Sequence, residues 1–186
     1  MPLKAKTIQV NTKKLDECST KPLRRPCILG IDPGLTGAWA AVSLDGDLLA
    51  VADMPTAKRG KRDWVDPQEL AGRILEFGER NPIELVAVED VHAMPRQGVT
   101  SSFRFGHAFG VAVSVAAFCG AETLLVTPQA WKKWFGLIGA GKGDSRHMAD
   151  AWWPGHADIF RRAKDDGRAE AALIALYALQ SREGKR

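Results

Sequence analysis

Acidic residues stand at the ends of apolar segments in three parts of this chain. Two of them end predicted buried strands, and three lie where an apolar helix is expected to begin. They are Asp32 and Glu89 at the strand ends, and Asp165, Asp166 and Glu170 at the helix start. Carboxylates that converge in one cleft repel one another unless cations neutralise them, and oxygen ligands favour hard ions such as Mg²⁺ or Mn²⁺. The pattern therefore predicts a two-metal site that could activate water for an in-line displacement at phosphorus.

Each acid also has an ordinary structural explanation. Asp32 precedes a Pro-Gly step and could help to form a turn. Glu89 could be a charge at a strand end, and Asp166 could cap a helix. Asp166 and Glu170 are, however, four residues apart and share one helix face. Because all five of these acids fall at strand ends or at one helix start, we favour the interpretation as a metal site over separate structural roles.

Hydrophobic patterning predicts the elements that would position these acids. The predicted strands cover residues 27–31, 38–42, 48–52, 83–89 and 124–126. The predicted helices cover about 66–81, 100–119 and 167–180, with two more that begin near 127 and 144. Residues 56–62 are expected to form a basic loop. A meander of three strands followed by strand–helix units predicts an α/β domain, with a mixed five-stranded sheet flanked by helices. Asp32 and Glu89 would face each other if the first and fourth strands are neighbours.

Length and composition favour one folded domain behind a basic leader. The 186 residues include 26 Lys and Arg against 22 Asp and Glu, for a net charge of +4. Residues 1–26 are predicted to be a basic, flexible N-terminal extension, and residues 27–186 the folded domain. Three cysteines without metal-binding or redox spacing, and no apolar run of about 18 residues, predict a cytoplasmic protein with no membrane partner.

Several motifs recur in a distinctive order and spacing. They are residues 28–37, Ile-Leu-Gly-Ile-Asp-Pro-Gly-Leu-Thr-Gly, then 86–91, 94–99, 103–106, 127–133 and 164–171. Residues 28–37 resemble the opening of the RuvC-like Holliday-junction resolvases, and 86–91 resemble their second acidic strand. The four later segments resemble especially the phage-borne and organellar branch. The resemblance covers about residues 27–180. It implies a ribonuclease-H-like fold, with a RuvC-like nuclease domain at 27–186.

The resemblance also implies a function and a set of site residues. The expected protein is a homodimeric, Mg²⁺-dependent endonuclease that cuts four-way DNA junctions by paired symmetric nicks, with Mn²⁺ able to substitute. The implied metal ligands are Asp32, Glu89, Asp166 and Glu170, with Asp165 as the alternative to Asp166. Lysines near the scissile phosphate are implied at Lys132 and Lys142. Contacts to DNA are expected from Arg59, Lys61, Arg62, His92, Arg96, Arg104 and Lys133.

Two positions depart from the bacterial relatives, and several roles stay open. Glu170 stands where those enzymes use Asp, and His92 stands where many have an aromatic wedge at the junction centre. Lys132 and Lys142 could be ordinary solvated lysines, and His92 an ordinary loop histidine. The small residues of 106–116 could serve a dimer contact or burial against the chain's own sheet.

Other functions fit parts of the sequence. Forks or flaps could be the substrate in place of four-way junctions, since a fold alone does not fix a substrate. A junction-binding protein that no longer cuts is a second alternative. Residues 32–37 also resemble the phosphate-binding turn of the actin, sugar-kinase and Hsp70 group, but those proteins need two such domains. We therefore expect no nucleotide cofactor. A phage origin would place the protein in the cytosol of its bacterial host.

Overall fold

The structure is a computed structural model that describes residues 24–93, 98–141 and 143–184. Its strands are β1 (Cys27–Asp32), β2 (Ala38–Ser43), β3 (Leu48–Asp53), β4 (Thr56–Arg59), β5 (Arg62–Val65), β6 (Ile83–Glu89) and β7 (Glu122–Val126). Its α-helices are α1 (Pro67–Arg80), α2 (Val99–Phe118), α3 (Pro128–Trp134), α4 (Asp144–Trp152), α5 (Ala157–Phe160) and α6 (Asp166–Glu183). No helix in these ranges is both long and apolar enough to cross a membrane.

The main sheet has five strands in the order β3-β2-β1-β6-β7. The first three strands are antiparallel neighbours, whereas β6 runs parallel to both β1 and β7. This confirms the predicted mixed five-stranded sheet, and it makes the two acid-ending strands neighbours. Ile31 of β1 pairs with Val88 of β6, so Asp32 and Glu89 follow at the same edge of the sheet.

Helices cover both faces of this sheet, because alternate side chains of each strand point to opposite faces. One face, including Ile28, packs against α6 together with Trp131 and Phe160. The other face, including Leu29, packs against α1 and α2. The central strands are buried on both sides, which explains their nearly continuous apolar sequences.

Residues 56–62, which we expected to be a loop, instead belong to a β-hairpin. β4 and β5 pair antiparallel through Arg59 and Arg62, with Gly60 and Lys61 between them. Gly60 has a φ of 63°, a conformation that glycine adopts without strain. The hairpin lacks an alternation of apolar and polar residues, because most of its side chains are exposed or half-buried. Alternation is the usual sequence signal for a strand, and the pattern therefore concealed this one.

Segments near the C-terminal third also differ from expectation. Gly143, with a φ of 94°, is the N-cap of α4, although Asp144 beside it has the side chain that sequence rules favour as a cap. Asp144 instead accepts a hydrogen bond from the Gly141 nitrogen at 2.7 Å. Short helical turns at Pro154–His156, Ala157–Phe160 and Ala163–Asp165 were not predicted, because each is too short to show a helical period.

Gly30→Ala is expected to destabilise the protein by about 1–3 kcal/mol, since added atoms in a close-packed contact force the surroundings apart. A methyl group at this position of β1 would overlap the Ala171 carbonyl oxygen and lie 2.6 Å from the Ala175 nitrogen of α6. Gly72→Ala is the matched control, because a methyl group there meets nothing within 4 Å. It should stabilise α1 by about 0.5–1 kcal/mol. Urea unfolding of both variants measures the two effects, and equal stabilities would contradict this packing.

Candidate active site

Carboxylates from three distant segments lie at one edge of the sheet. Asp32 ends β1, Glu89 ends β6, and Glu170 belongs to the first turns of α6. A cleft of about 510 Å³ opens beside them. Its lining includes Asp32, Thr36, Lys132, Lys164, Asp166 and Glu170. Glu89 and His92 line an adjoining cavity of about 280 Å³, and Lys132 lines both cavities.

Burial and neighbouring carboxylates shift the protonation of Asp32 and Glu89. Burial raises the pKa of Asp32 well above its ordinary value, and the nearby Glu89 and Glu170 carboxylates raise it further. Burial also raises the pKa of Glu89, with a further contribution from Glu170. The Lys132 ammonium acts in the opposite direction on both pKa values. Burial and the neighbouring carboxylates therefore make the ionised forms of Asp32 and Glu89 costly without a cation.

Trp131 contacts the most buried of these acids. Glu89 is 6% exposed, and its Oε1 accepts a hydrogen bond of 2.8 Å from Trp131 Nε1. The indole itself is fully buried. The sequence showed Trp131 only as part of the helix that begins near 127, and gave no sign that it touches Glu89.

Lys132 lies between the acids of the cleft. Its Nζ is 3.5 Å from Glu170 Oε1 and 5.0 Å from the centroid of the Trp131 ring. The same Glu170 oxygen accepts a hydrogen bond of 3.2 Å from Ser145 Oγ, a contact that the sequence did not indicate. The other predicted active-site lysine, Lys142, lies outside the described residues.

The two adjacent aspartates at the start of α6 have different surroundings. Asp166 lines the cleft, and its Oδ1 accepts a hydrogen bond of 2.7 Å from Arg146 Nε. The Asp165 side chain is 1% exposed and accepts hydrogen bonds of 2.8 Å from the nitrogen and Nη2 of Arg162. Burial alone would raise the pKa of Asp165, but the bonds from Arg162 bring it below its ordinary value. These contacts favour Asp166 over Asp165 as the acid that faces a metal.

Asp165→Asn is expected to lower stability by about 1.5–3 kcal/mol, the usual range for hydrogen bonds to a charged group. The amide would lose the charge-assisted contacts to Arg162 and the nearby Arg168 guanidinium, which pairs with Asp53. Asp166→Asn is the adjacent control and should leave stability nearly unchanged, because Asp166 is substantially more exposed. Thermal unfolding compares the two, and a larger loss at Asp166 would reverse this assignment.

The donor set suits a divalent cation, although it is not assembled as a ready-made site. Asp32, Glu89, Asp166 and Glu170 offer oxygen atoms, which Mg²⁺ and Mn²⁺ prefer. Within the described residues, however, no three acidic, histidine or cysteine side chains are grouped closely enough to hold an ion. A cation would stabilise the ionised forms of Asp32 and Glu89, whose pKa values are raised, and the acids would have to move closer together to bind it.

The predicted DNA contacts occupy several places. Arg59, Lys61 and Arg62 are exposed on the β4–β5 hairpin, and Lys133 is exposed on α3. His92 is exposed beside the cavity that adjoins Glu89. Arg96 lies outside the described residues.

Arg104 has a structural contact in addition to its predicted role. This half-buried side chain donates a hydrogen bond of 2.6 Å from Nη2 to the Asp63 carbonyl oxygen, which ties the hairpin to α2. Trp64 of the hairpin also packs edge-on against Phe103 and His107 of α2. The hairpin is therefore held at a fixed position relative to that helix.

The small-residue helix α2 has two different faces. Ala108, Ala112 and Ala116 are buried against the sheet, whereas added methyl groups at Gly106 and Gly110 would meet nothing within 4 Å. A largely apolar cavity of about 570 Å³ lies between α1 and α2. Its lining includes Ala71, Gly110, Val111, Ser114, Val115 and Phe118. One face of α2 thus packs on the chain's own sheet, and the other is open to a partner.

Comparisons with known proteins point in one direction. No family model matches the chain. The chain is 34% identical over 116 residues to the chloroplastic Holliday junction resolvase MOC1 of Chlamydomonas reinhardtii. The matched segment covers 59% of this chain. It is 29% identical over 132 residues to the crossover junction endodeoxyribonuclease RuvC of Chelativorans sp. (strain BNC1), which covers 65% of this chain. These matches span 13% of the algal protein and 70% of the bacterial one.

A solved structure shares the fold. The structure of Thermus thermophilus RuvC in complex with Holliday junction substrate superimposes with a TM-score of 0.59 at 24% identity. The match covers 86% of this chain and 96% of that one. The predicted resemblance is confirmed: in sequence and in fold, the chain is RuvC-like.

Proposed function

We propose that this chain is a divalent-metal-dependent endonuclease that resolves four-way DNA junctions by paired symmetric nicks. The observation that carries the proposal is the convergence of Asp32, Glu89 and Glu170 from three separate segments at one end of the sheet, with Lys132 Nζ 3.5 Å from Glu170. Three acids from separate segments of a RuvC-like fold have no structural need to gather in and beside one cleft. A phosphodiester reaction that uses cations explains why they do.

The same residues account for the chemistry. Asp32, Glu89, Asp166 and Glu170 would hold the ions, for which we propose Mg²⁺ with Mn²⁺ as a substitute. Bound there, such ions would activate a water molecule and stabilise the leaving oxygen of a phosphodiester. The Lys132 ammonium, 3.5 Å from Glu170, would offset negative charge that develops on the phosphoryl oxygens. We keep Lys142 as a second such lysine.

The exposed basic residues would position DNA on the protein. Arg59, Lys61 and Arg62 project from the hairpin, and Arg59 stacks 5.5 Å from the centroid of the Trp64 ring. Contacts of this kind go to phosphates, so they fix orientation without selecting bases. His92, Arg96, Arg104 and Lys133 remain proposed contacts. Because phosphate contacts release counterions, junction binding should weaken steeply as salt increases.

We further propose that two chains pair through the open face of α2 and the neighbouring groove. The apolar lining of the groove and the 84% exposed Phe118 support a protein partner there. Two active sites related by a two-fold axis would explain symmetric nicks in opposite strands of a junction. A cytoplasmic location also stays a prediction, supported by the free thiols of Cys27 and Cys119.

Gly110→Arg is expected to convert the dimer to a monomer while leaving the fold intact. A Cβ atom at this position meets nothing within 4 Å in the protomer, and the long, charged side chain would extend over the proposed contact face. We expect the apparent dimer dissociation constant to rise at least about tenfold, the effect of roughly 1.4 kcal/mol. Sedimentation equilibrium measures it, with Gly155→Arg, also in open space, as the control. Equal dimer affinity in the two variants would exclude this interface.

The substrate is tested with a panel of labelled DNAs of matched sequence. The four-way junction should be cut faster than a fork, a flap or a linear duplex in the presence of Mg²⁺. Preference for forks or flaps would keep the nuclease and replace its substrate. Tight junction binding without cleavage in either Mg²⁺ or Mn²⁺ would favour the alternative of a non-cleaving junction-binding protein.

A further inference from the structure

Trp131 contacts both Glu89 and Lys132. Its Nε1 donates a hydrogen bond of 2.8 Å to Glu89 Oε1, and the face of its ring lies 5.0 Å from Lys132 Nζ. Lys132 in turn lies 3.5 Å from Glu170. One indole therefore contacts an acid from β6 and a lysine from its own helix, and the lysine reaches an acid on α6.

The chemistry of the Trp131 indole allows it to orient neighbouring side chains but not to take part in the reaction itself. An indole N–H is a donor only, so Trp131 can neither coordinate a metal ion through its nitrogen nor exchange a proton in the reaction. Its bond of 2.8 Å fixes Oε1 of a buried carboxylate and leaves the other oxygen of Glu89 free of that bond. The electron-rich ring face attracts the ammonium group, which restrains a long and flexible side chain.

The helix α3 holds the indole in place. The Thr127 side chain accepts a hydrogen bond from the Ala130 nitrogen and Pro128 begins the helix, so the start of α3 is well defined. The indole is fully buried in the core that lies beneath α6. A rigid, buried donor of this kind is more than packing requires, because a phenylalanine would fill most of the same volume without needing a polar partner.

We propose that Trp131 is a positioning residue, whose indole orients the Glu89 carboxylate and the Lys132 ammonium so that Glu89 presents its other oxygen to a divalent cation. This inference rests on the metal-dependent function proposed above. Hydrogen-bond partners that orient metal-binding side chains commonly contribute about 10–100-fold to metal affinity or activity. Loss of the indole N–H should therefore weaken metal binding within that range.

The test compares Trp131→Phe with a matched control on the same helix. Trp134 Nε1 donates an equally short bond, 2.8 Å, to Gln180 Oε1, but Trp134 is half-exposed and lies outside the cleft. Mn²⁺ binding to the purified protein is measured by electron paramagnetic resonance, and the Mg²⁺ concentration for half-maximal junction cleavage is measured in parallel. We expect both constants to rise about tenfold or more in Trp131→Phe, with cleavage partly recovered at high Mg²⁺. Trp134→Phe should match the wild type.

The outcomes separate this inference from the proposed function. Weaker Mn²⁺ binding in Trp131→Phe supports positioning even if no DNA is cut. Unchanged Mn²⁺ affinity in that variant, or no Mn²⁺ binding by any of the three proteins, would overturn it. A second measurement uses the wild-type protein, so no substitution disturbs its core. The resonance of the Trp131 indole N–H, one of six in the ¹⁵N spectrum, should shift during a Mg²⁺ titration, whereas the Trp134 resonance should not. A Trp131 resonance that never moves would also overturn the inference.

Discussion

Asp32→Asn is expected to reduce metal-dependent junction cleavage by about 10³-fold or more. Asp32 is central to the coupled acids, and its loss would remove a ligand from the proposed ion site. Bound ions contribute several kcal/mol of transition-state stabilisation, and about 1.4 kcal/mol corresponds to a factor of ten in rate. Single-turnover cleavage with excess protein measures the loss. Because junction binding depends mainly on basic side chains, the variant should still bind the junction.

The same variant should be more stable than the wild type when no metal is present. The pKa of Asp32 is raised in the folded protein by burial and by Glu89 and Glu170, so the folded state holds this proton more tightly than the unfolded state. The ionised carboxylate therefore costs stability at neutral pH. That cost falls as the pH drops through the raised pKa towards the ordinary value of 3.8, and the advantage of Asp32→Asn should shrink with it.

Thermal melts at a series of pH values measure this effect. We expect Asp32→Asn to melt at a higher temperature than the wild type at pH 7. This difference should become smaller in acid, and it should also become smaller when Mg²⁺ binds and stabilises the wild type. A variant that is less stable than the wild type at pH 7 would show that Asp32 serves the fold. Lost cleavage would then have a structural cause, and the proposed ion site would lose its main support.

Lys132→Met is expected to slow cleavage of the bound junction by about 10²-fold or more, because removal of one group that stabilises transition-state charge commonly has this effect. Methionine keeps much of the aliphatic length but loses the ammonium beside Glu170. The change also removes the positive charge that lowers the pKa values of Asp32 and Glu89, which should make these acids harder to ionise. Raising the pH should therefore recover part of the lost rate.

Lys133→Met is the adjacent control, because the Lys133 side chain is exposed on the same helix. It should weaken junction binding through one lost phosphate contact and leave the rate of the bound complex nearly intact. Rates at saturating protein and binding titrations separate the two effects. If Lys132→Met cleaves the bound junction at the wild-type rate, Lys132 is an ordinary solvated lysine with no part in the reaction.

The strand-end acids were predictable because the signal is local. A buried strand that ends in a carboxylate is visible in the sequence, whereas the adjacency of β1 and β6 was only a condition, which the structure supplies. The mixed sheet was expected from the residues alone. The β4–β5 hairpin was not, because its exposed, charged strands lack a hydrophobic period.

The contacts that complete the cleft depend on tertiary structure. Trp131 and Glu89 are 42 residues apart, and only the placement of α3 brings the indole to the carboxylate. The choice between Asp165 and Asp166 depends on the start of α6 to within one residue. That boundary decides which side chain meets Arg162 and which faces the cleft. No local pattern defines a helix start so closely.

The most direct test of the central claim is a nick map of a single synthetic four-way junction, labelled on each of its four strands in turn. With Mg²⁺, we predict paired nicks at symmetric positions in two opposing strands, with ends that a ligase can rejoin. With EDTA in place of Mg²⁺, the same junction should stay intact. Unpaired or scattered nicks, equal cutting of a matched linear duplex, or cleavage that persists in EDTA would contradict the assignment of this cleft to metal-dependent junction resolution.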